Sequence, residues 1–225
     1  MTPLRRLLFP SLAGVAALAL LPGNGNAQKG DAAPYPLTTC AVSGEALGSM
    51  GDPVVSVYEG REVRFCCGRC PRGFEKDLKA SLARLDETII KNQMPLYPLE
   101  VSVVSGEKLG DKGFDLVHGN RLVRLADESE KAAFLKDSKK HLKTLDEAVV
   151  EKQSKGYPLT TCPVEGAKLD AKGKPANVVV AGRLVQACCA SCGKAIEKDP
   201  AKAIVAIDEA RKGGSGGGKG TGGHE

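Results

Sequence analysis

The residues best suited to chemistry in this sequence are eight cysteines, which fall into two equal sets. Each set has one cysteine, a gap of 25 residues, and then three cysteines within five positions. The members are Cys40, Cys66, Cys67 and Cys70 in the first set and Cys162, Cys188, Cys189 and Cys192 in the second. Thiolates chelate a soft or borderline metal when the backbone brings several sulfurs to one point. The pattern therefore predicts two thiolate metal sites, with zinc or copper(I) as the ion.

Within each set, three cysteines are the expected core of the site. In the first set these are Cys40, Cys66 and Cys70, and in the second set they are Cys162, Cys188 and Cys192. Cys67 is adjacent to Cys66, and neighbouring side chains on a strand point to opposite faces, so both reach one ion only if the strand ends between them. Cys67 and Cys189 are therefore predicted to be either fourth ligands or reactive spare thiols.

The first 27 residues have the layout of a cleaved secretory signal peptide. Arg5 and Arg6 precede an apolar run from Leu7 to Leu21, and small residues lead up to Ala27. The run is short for a membrane-spanning helix, so we expect an exported protein, periplasmic or extracellular, with no membrane span after cleavage. Cleavage removes two arginines and no acid, which lowers the formal charge from +5 to +3.

Export leaves two other uses of the cysteines open. An even number of cysteines in an oxidising compartment can form structural disulfides, which would make the chain a disulfide-stabilised interaction repeat. The segments Cys67-Gly68-Arg69-Cys70 and Cys189-Ala190-Ser191-Cys192 could alternatively serve a thiol–disulfide oxidoreductase. A thioredoxin-like motif should follow a βαβ pattern, however, and none is visible.

Three repeats position the cysteines. Tyr-Pro-Leu recurs at residues 35–37, 97–99 and 157–159, and each copy is followed by Val-x-Gly-x-x-Leu. The period of about 60 residues predicts repeats at 35–93, 97–153 and 157–212, followed by a Gly-rich tail, 213–225, that should be disordered. Repeats one and three align without a gap at an offset of 122.

Each repeat reads as a β-hairpin followed by helices, so the predicted fold class is α+β with three tandem small modules. Paired β-rich runs flank two-residue connections that contain glycine; they are Val54–Tyr58 with Arg61–Cys66, Phe114–His118 with Arg121–Leu125, and Asn177–Val180 with Arg183–Cys188. The periodicity then becomes helical, as in Phe74, Leu78, Leu82, Leu85 and Ile89. We expect a short helix and then a longer one, joined near Asp77, Asp137 and Asp199.

The middle repeat has no cysteine. Its ligand positions hold Ser102, Ala126, Asp127 and Glu130. Acidic residues stabilise a helix N-terminus without any metal, so we predict a structural spacer. The alternative is an oxygen-ligand site from Asp127, Glu128 and Glu130 together with His118, although His118 is expected to face solvent.

These features resemble the YHS and TRASH domains of bacterial proteins, small treble-clef-like modules associated with heavy-metal sensing, trafficking and resistance. The resemblance rests on Cys-x-Val-x-Gly, the hairpin, Phe-Cys-Cys-x-x-Cys-x-x-x-Phe and an Asp-(Pro) helix start, and it covers most of residues 35–213. Two departures stand out. Ser43 and Glu165 stand where the TRASH pattern often has a second cysteine, and Cys67 and Cys189 are additional to the YHS pattern and would compensate.

Other function classes have little support. The chain has no tryptophan and only 4% aromatic residues, so it lacks stacking platforms for nucleic acid. It has no Gly-x-Ser-x-Gly, phosphate-loop or His-Glu-x-x-His motif, and we predict that it is not an enzyme. The expected partner is a metal ion, with another exported protein as a candidate protein partner.

Overall fold

The computed structural model describes residues 32–110 and 113–214. The predicted signal peptide, 1–27, lies outside these ranges, as does the predicted tail from residue 215 onward. Residues 213 and 214, the first two of that tail, end a helix instead of being disordered. Within the described ranges, no helix combines the length and the apolar character needed to cross a membrane.

The strands form three separate antiparallel hairpins. They are β1 Val54–Tyr58 with β2 Arg61–Phe65, β3 Phe114–His118 with β4 Arg121–Leu125, and β5 Ala176–Val180 with β6 Arg183–Ala187. The two turn residues of every hairpin have positive φ, for example 62° at Asn120, which matches the right-handed twist of the strands. β2 and β6 stop one residue short of their predicted ends, so Cys66 and Cys188 lie just beyond the strands.

Each hairpin is followed by a short helix and then a longer one. The helices are α1 Cys70–Glu75, α2 Leu78–Gln93, α3 Lys131–Lys136, α4 Ser138–Ser154, α5 Ala190–Lys198 and α6 Ala201–Gly214, with 3-10 turns at Met94–Leu96 and Glu128–Glu130. The joins fall at the three predicted aspartates. Asp77 caps α2 by accepting a hydrogen bond from the Ala80 N–H at 3.0 Å, whereas the Asp137 side chain makes no such bond.

Three hydrophobic clusters fill the space between hairpins and helices. The apolar stripe predicted for α2 is buried at Leu82, Leu85 and Ile89, where it packs with Phe65 and Phe74. Two further clusters surround Phe134 and Ile196 in the later parts of the chain. The prediction of a mixed α+β fold with small hairpins followed by helices is confirmed. We refer to the units built on β1–β2, β3–β4 and β5–β6 as the first, middle and third modules.

Side-chain amide groups connect each module to the next. Gln93, at the end of α2, donates to the Asn120 carbonyl and accepts from the Leu122 N–H, both at 3.0 Å. Gln153, near the end of α4, makes the same two bonds to Gly182 and Leu184. A side-chain amide from one module thus satisfies the hairpin turn of the following module.

The first hairpin has no preceding helix in the described chain, and a backbone amide takes the place of the glutamine. The Ala33 N–H donates to the Gly60 carbonyl at 2.9 Å, and the Ala33 carbonyl accepts from the Glu62 N–H at 2.8 Å. The first and third modules also touch, because Arg64 forms an ion pair with Asp199 at 3.0 Å. The modules therefore hold one another through specific polar contacts.

Candidate metal centres

The first cysteine set converges at the corner between β2 and α1. Cys66 follows the last residue of β2, and Cys70 is the first residue of α1. Cys40 lies in the loop before the hairpin, and the Ala41 N–H ties this loop to the Arg64 carbonyl at 3.1 Å. A tight turn closed by the Gly44 N–H on the Cys40 carbonyl holds Cys40 in place.

The Sγ atoms of Cys40, Cys66 and Cys70 all lie within 4.8 Å of one another. The Cys66 and Cys70 sulfurs are 3.7 Å apart, and the Ser43 hydroxyl lies 3.4 Å from the Cys66 sulfur. Cys67 is not a member of this group of three, although its sulfur is 3.6 Å from that of Cys70. The three expected core cysteines of the first set are therefore brought together, with Cys67 beside them.

The thiols of the first cluster differ in acidity. Burial opposes ionisation of Cys40, but hydrogen bonds from the Ser43 hydroxyl and from backbone N–H groups outweigh it and lower the pKa of Cys40 to about 6. The Arg69 N–H and the Cys70 thiol lower the pKa of Cys67 to about 7. Burial and hydrogen bonds to its neighbouring thiols raise the pKa of Cys70 to about 12. The cluster thus stabilises negative charge on some sulfurs at the expense of others, as expected where several thiolates crowd together without a cation.

The third module brings a different set of donors together. Ligand atoms of Glu165, Cys188, Cys189 and Cys192 lie within 4.8 Å of one another. The Cys188 sulfur is 3.8 Å from the Cys192 sulfur, 4.0 Å from the Cys189 sulfur and 3.5 Å from Glu165 Oε2. Lys172 Nζ holds the same carboxylate oxygen at 2.7 Å.

Cys162, an expected core ligand, is not a member of that group of four. It is buried, and its turn has the same backbone hydrogen bonds as the turn at Cys40. Burial and a hydrogen bond with the Cys162 thiol raise the pKa of Cys188 to about 11, and the Cys162 thiol also interacts with that of Cys192. Cys162 therefore borders the cluster, and the group of the third module contains the Glu165 carboxylate and the Cys189 thiol without it.

Charge in the third cluster is concentrated at its exposed side. The Ser191 hydroxyl and the Cys192 N–H lower the pKa of Cys189 to about 6. The Lys172 ammonium group lowers the pKa of the Glu165 carboxyl below its usual value. Burial, together with hydrogen bonds to Cys189 and Glu165, raises the pKa of Cys192 well above that of a free thiol.

The start of the following helix explains why Cys189 joins its cluster and Cys67 does not. α5 begins at Ala190, directly after Cys189, whereas α1 begins only at Cys70. The first module has Gly68 at the position of Ala190, and glycine disfavours helix. It also has Pro71, which is suited to the first helical turn. Cys67 therefore lies in a bend outside the helix.

The middle module fills the same corner with hydrogen bonds. Glu130 Oε2 accepts from the Ser102 hydroxyl at 2.6 Å and from the Ala126 N–H at 2.9 Å. His118 is not simply solvated as expected, because its ring packs edge-on against Phe134 at 5.3 Å. Within the described ranges, Asp127, Glu128, Glu130 and His118 do not form a group of metal-ligating atoms, and the groups found are the two cysteine clusters.

Some features of the site were not in the predicted ligand set. Glu165 is a member of the third group, and its signal was its position, 122 residues after Ser43 at the departure from the TRASH pattern. Lys172 had no sequence signal, because lysines are frequent in this chain. No protein-family model, curated protein or solved structure matches this chain. What the fold and the two clusters define is a mixed α+β protein with two groups of side chains that could each hold a metal ion.

Proposed function

We propose that this protein is an exported, non-enzymatic metal-binding protein with two thiolate sites for zinc or copper(I), acting in metal trafficking or resistance. The observation that carries the proposal is the convergence of ligand atoms within 4.8 Å in each of two clusters. The spacing suits a metal: sulfurs bound tetrahedrally at about 2.3 Å from one zinc ion would be roughly 3.8 Å apart. The sulfurs of Cys66 and Cys70, at 3.7 Å, and of Cys188 and Cys192, at 3.8 Å, match that separation.

The proposal extends to the origin of the modules. The loop cysteine, the hairpin and the strand-to-helix cysteines follow the order that led to the comparison with YHS and TRASH domains. We place the chain near these treble-clef-like modules on that order alone, with the repeats at 35–93, 97–153 and 157–212. Metal trafficking or resistance is the role such a relationship implies.

Structural disulfides fit the geometry less well. All eight cysteines are free, and the sulfurs of Cys67 and Cys70 are 3.6 Å apart. A disulfide bond is about 2.05 Å long.

A thiol–disulfide oxidoreductase remains the second candidate, because Cys67 and Cys70 combine proximity with a pKa of about 7 at Cys67. Against it, each cysteine cluster follows a β-hairpin and not a βαβ unit. Cys70 also belongs to the metal-compatible group, so the same sulfur would have to serve both chemistries.

The deciding experiment is metal analysis of full-length protein purified anaerobically, together with a free-thiol count. Two equivalents of metal are expected from the wild type and one from Cys70→Ser, with the other cluster unaffected. Serine replaces the sulfur with little change in size, and Ser154→Ala, at an exposed position outside both clusters, serves as a control. Protein with neither metal nor free thiols would overturn the proposal in favour of disulfides, and insulin-reductase activity in metal-free protein would favour the oxidoreductase.

Export is tested separately. Expression of the full chain in a bacterial host should yield a periplasmic or extracellular product whose mass corresponds to a first residue at Gln28. An unprocessed chain retained in the cytoplasm would overturn this part of the proposal without affecting metal binding.

A further inference from the structure

The two clusters differ in one donor at the same place in the repeat. Ser43 and Glu165 lie 122 residues apart, the offset that aligns the first and third modules. Each side chain brings an oxygen close to the equivalent sulfur: the Ser43 hydroxyl is 3.4 Å from the Cys66 sulfur, and Glu165 Oε2 is 3.5 Å from the Cys188 sulfur. The side chain at this position therefore reaches the cluster in both modules. It brings a neutral hydroxyl in the first module and an anionic carboxylate in the third.

The two modules also differ at the residue that holds the carboxylate. Lys172 holds Glu165 Oε2 at 2.7 Å and fixes its orientation beside the cluster. The residue 122 positions earlier is Met50, an exposed side chain with no charge. Outer contacts of this kind orient a metal ligand and tune its affinity, so the third module has a supported oxygen ligand and the first module has none.

These donor sets suit different ions. Zinc accepts cysteine sulfur together with a carboxylate oxygen in a four-coordinate site. Soft copper(I) is selected by thiolate ligands, whereas a carboxylate is a hard ligand. The charges agree: four anionic ligands suit a divalent cation, and three sulfurs with a neutral hydroxyl suit a monovalent one.

We propose that the two sites are selective for different metals: Cys40, Cys66 and Cys70 bind copper(I), and Glu165, Cys188, Cys189 and Cys192 bind zinc. This inference rests on the proposed function, because it assumes that both groups hold a metal ion. One chain would then carry one ion of each kind, and Glu165 would be the residue that gives the two sites different metal preferences.

The test uses the full chain with one site disabled at a time. Cys66→Ser/Cys70→Ser leaves only the third site, and Cys188→Ser/Cys192→Ser leaves only the first. Each protein is titrated anaerobically with zinc and with copper(I), using competing chelators of known affinity. Wild-type protein offered both metals should contain one equivalent of each, and each single-site protein should retain the metal assigned to it.

The discriminating variant is Glu165→Gln in the protein that keeps only the third site. We expect zinc affinity to fall by about 10-fold or more, the size of effect seen even for outer contacts of metal ligands. Copper(I) affinity should change by less than about 3-fold. Ser43→Ala in the protein that keeps only the first site is the matched control. Loss of the hydroxyl that hydrogen-bonds the Cys40 thiol should change the affinities for both metals by a similar factor and leave the preference for copper(I) in place.

Cobalt(II) gives a readout independent of affinity, because its visible spectrum reports the ligand set. Cobalt in the third site should show the spectrum of a tetrahedral site with mixed sulfur and oxygen ligands, and Glu165→Gln should change it. Two bound equivalents with the same metal preference at both sites, or an unchanged zinc affinity in Glu165→Gln, would overturn this inference and leave the proposed function standing. Wild-type protein that binds neither metal would overturn the proposed function itself.

Discussion

In the middle module, Glu130 lies where Cys70 and Cys192 lie in the other two modules, and it joins the loop to the helix without sulfur. Its carboxylate accepts from the Ser102 hydroxyl at 2.6 Å, and Ser102 stands where the other modules have Cys40 and Cys162. The loop turn is the same in all three modules: the N–H groups of Cys40, Ser102 and Cys162 donate to the carbonyls of Glu45, Glu107 and Ala167 at 2.7–2.8 Å. A hydrogen-bonded carboxylate and a group of thiols thus occupy equivalent corners of one scaffold.

This comparison indicates that the turn, the hairpin and the helices can form in this scaffold without cysteines. The backbone turn is closed by glycine at positive φ in each module, at Gly44, Gly106 and Gly166. The corner needs a link between loop and helix, and either a hydrogen bond or a metal ion can supply it. The predictions that follow test whether the two kinds of link are equivalent, in order of decreasing expected effect.

The largest expected effect comes from removing the metal. Structural zinc sites contribute on the order of 10 kcal/mol to folding, so chelation should destabilise the first and third modules most. Hydrogen exchange should show faster exchange at the amides of β2 and β6, while Val123 and Leu125 of the middle module stay protected. Equal loss of protection in all three modules would mean that the middle module depends on the metal as well.

A third metal site should be obtained by replacing the hydrogen-bonded corner. The variant Ser102→Cys/Ala126→Cys/Glu130→Cys places thiols at the positions equivalent to Cys40, Cys66 and Cys70. We expect three equivalents of bound metal in place of two, measured by metal analysis of anaerobically purified protein. The matched control is Ser102→Ala/Glu130→Ala, which removes the link without adding sulfur. A folded triple variant that still binds two equivalents would show that the middle corner has a different geometry.

Asn120 tests whether the middle module also holds the first module in place. Its side-chain amide donates to the carbonyls of Ala33, Pro34 and Glu62 and accepts from Arg61 Nε, and the residue is 1% exposed. Asn120→Ala removes these four hydrogen bonds in a buried site, and alanine is strained at φ 62°. The free energy of unfolding should fall by about 3 kcal/mol or more, measured by urea denaturation of metal-loaded protein.

Asn120→Gly is the control for backbone strain, because glycine tolerates positive φ. It should cost less than Asn120→Ala by about 1 kcal/mol. Both variants should still bind two metal ions. Loss of the first site in either variant would show that the contact between modules shapes the metal site and does not only stabilise the protein.

The smallest expected effect is that of Glu130→Gln. Burial works against ionisation of Glu130, but the hydroxyls of Ser102 and Ser105 and the Ala126 N–H outweigh it and lower its pKa. Because the folded pKa lies below the unfolded one, the ionised group stabilises the fold above about pH 4.3, and this contribution is lost as the pH falls through the folded pKa. Glutamine keeps neutral hydrogen bonds in a half-buried site, so we expect a loss of about 1 kcal/mol at pH 7.

Thermal melts of the two proteins between pH 3 and 7 measure this effect. The difference between wild type and Glu130→Gln should shrink as the pH is lowered. Thr144→Ala, at an exposed position of the same module whose hydroxyl donates to the Lys140 backbone carbonyl, is the control and should show no such convergence. A difference that stays constant with pH would show that the charge on Glu130 does not contribute.

Much of the local structure could be predicted from the sequence. β-rich runs around two-residue glycine-containing turns predicted all three hairpins, because such turns match the twist of paired strands. The change from a period of two to a helical period predicted the short and long helices and their joins at Asp77, Asp137 and Asp199. Those signals are local, and the structure changes them only at the ends of elements, such as β2 ending at Phe65.

The membership of the clusters could be predicted only in part. The cysteine spacing predicted that Cys40, Cys66 and Cys70 would meet at one corner. It did not predict that Cys67 would lie outside that group or that Glu165 would belong to the other group. These outcomes depend on where each helix begins and on a lysine that orients a carboxylate. The glutamine contacts between modules were not predicted either, because a single glutamine at a helix end has no periodic signal.

Residue types and their spacing set the order of cysteine, hairpin and helix along the chain, so the sequence alone determined that two corners of the chain would be rich in thiols. Only the tertiary structure decided which atoms meet there, because side chains 20 or more residues apart come within a few ångströms only after the loop, the hairpin and the helix have packed. For the same reason, the sequence marked the middle repeat as lacking cysteine, while the fold determined that a carboxylate would link its loop to its helix.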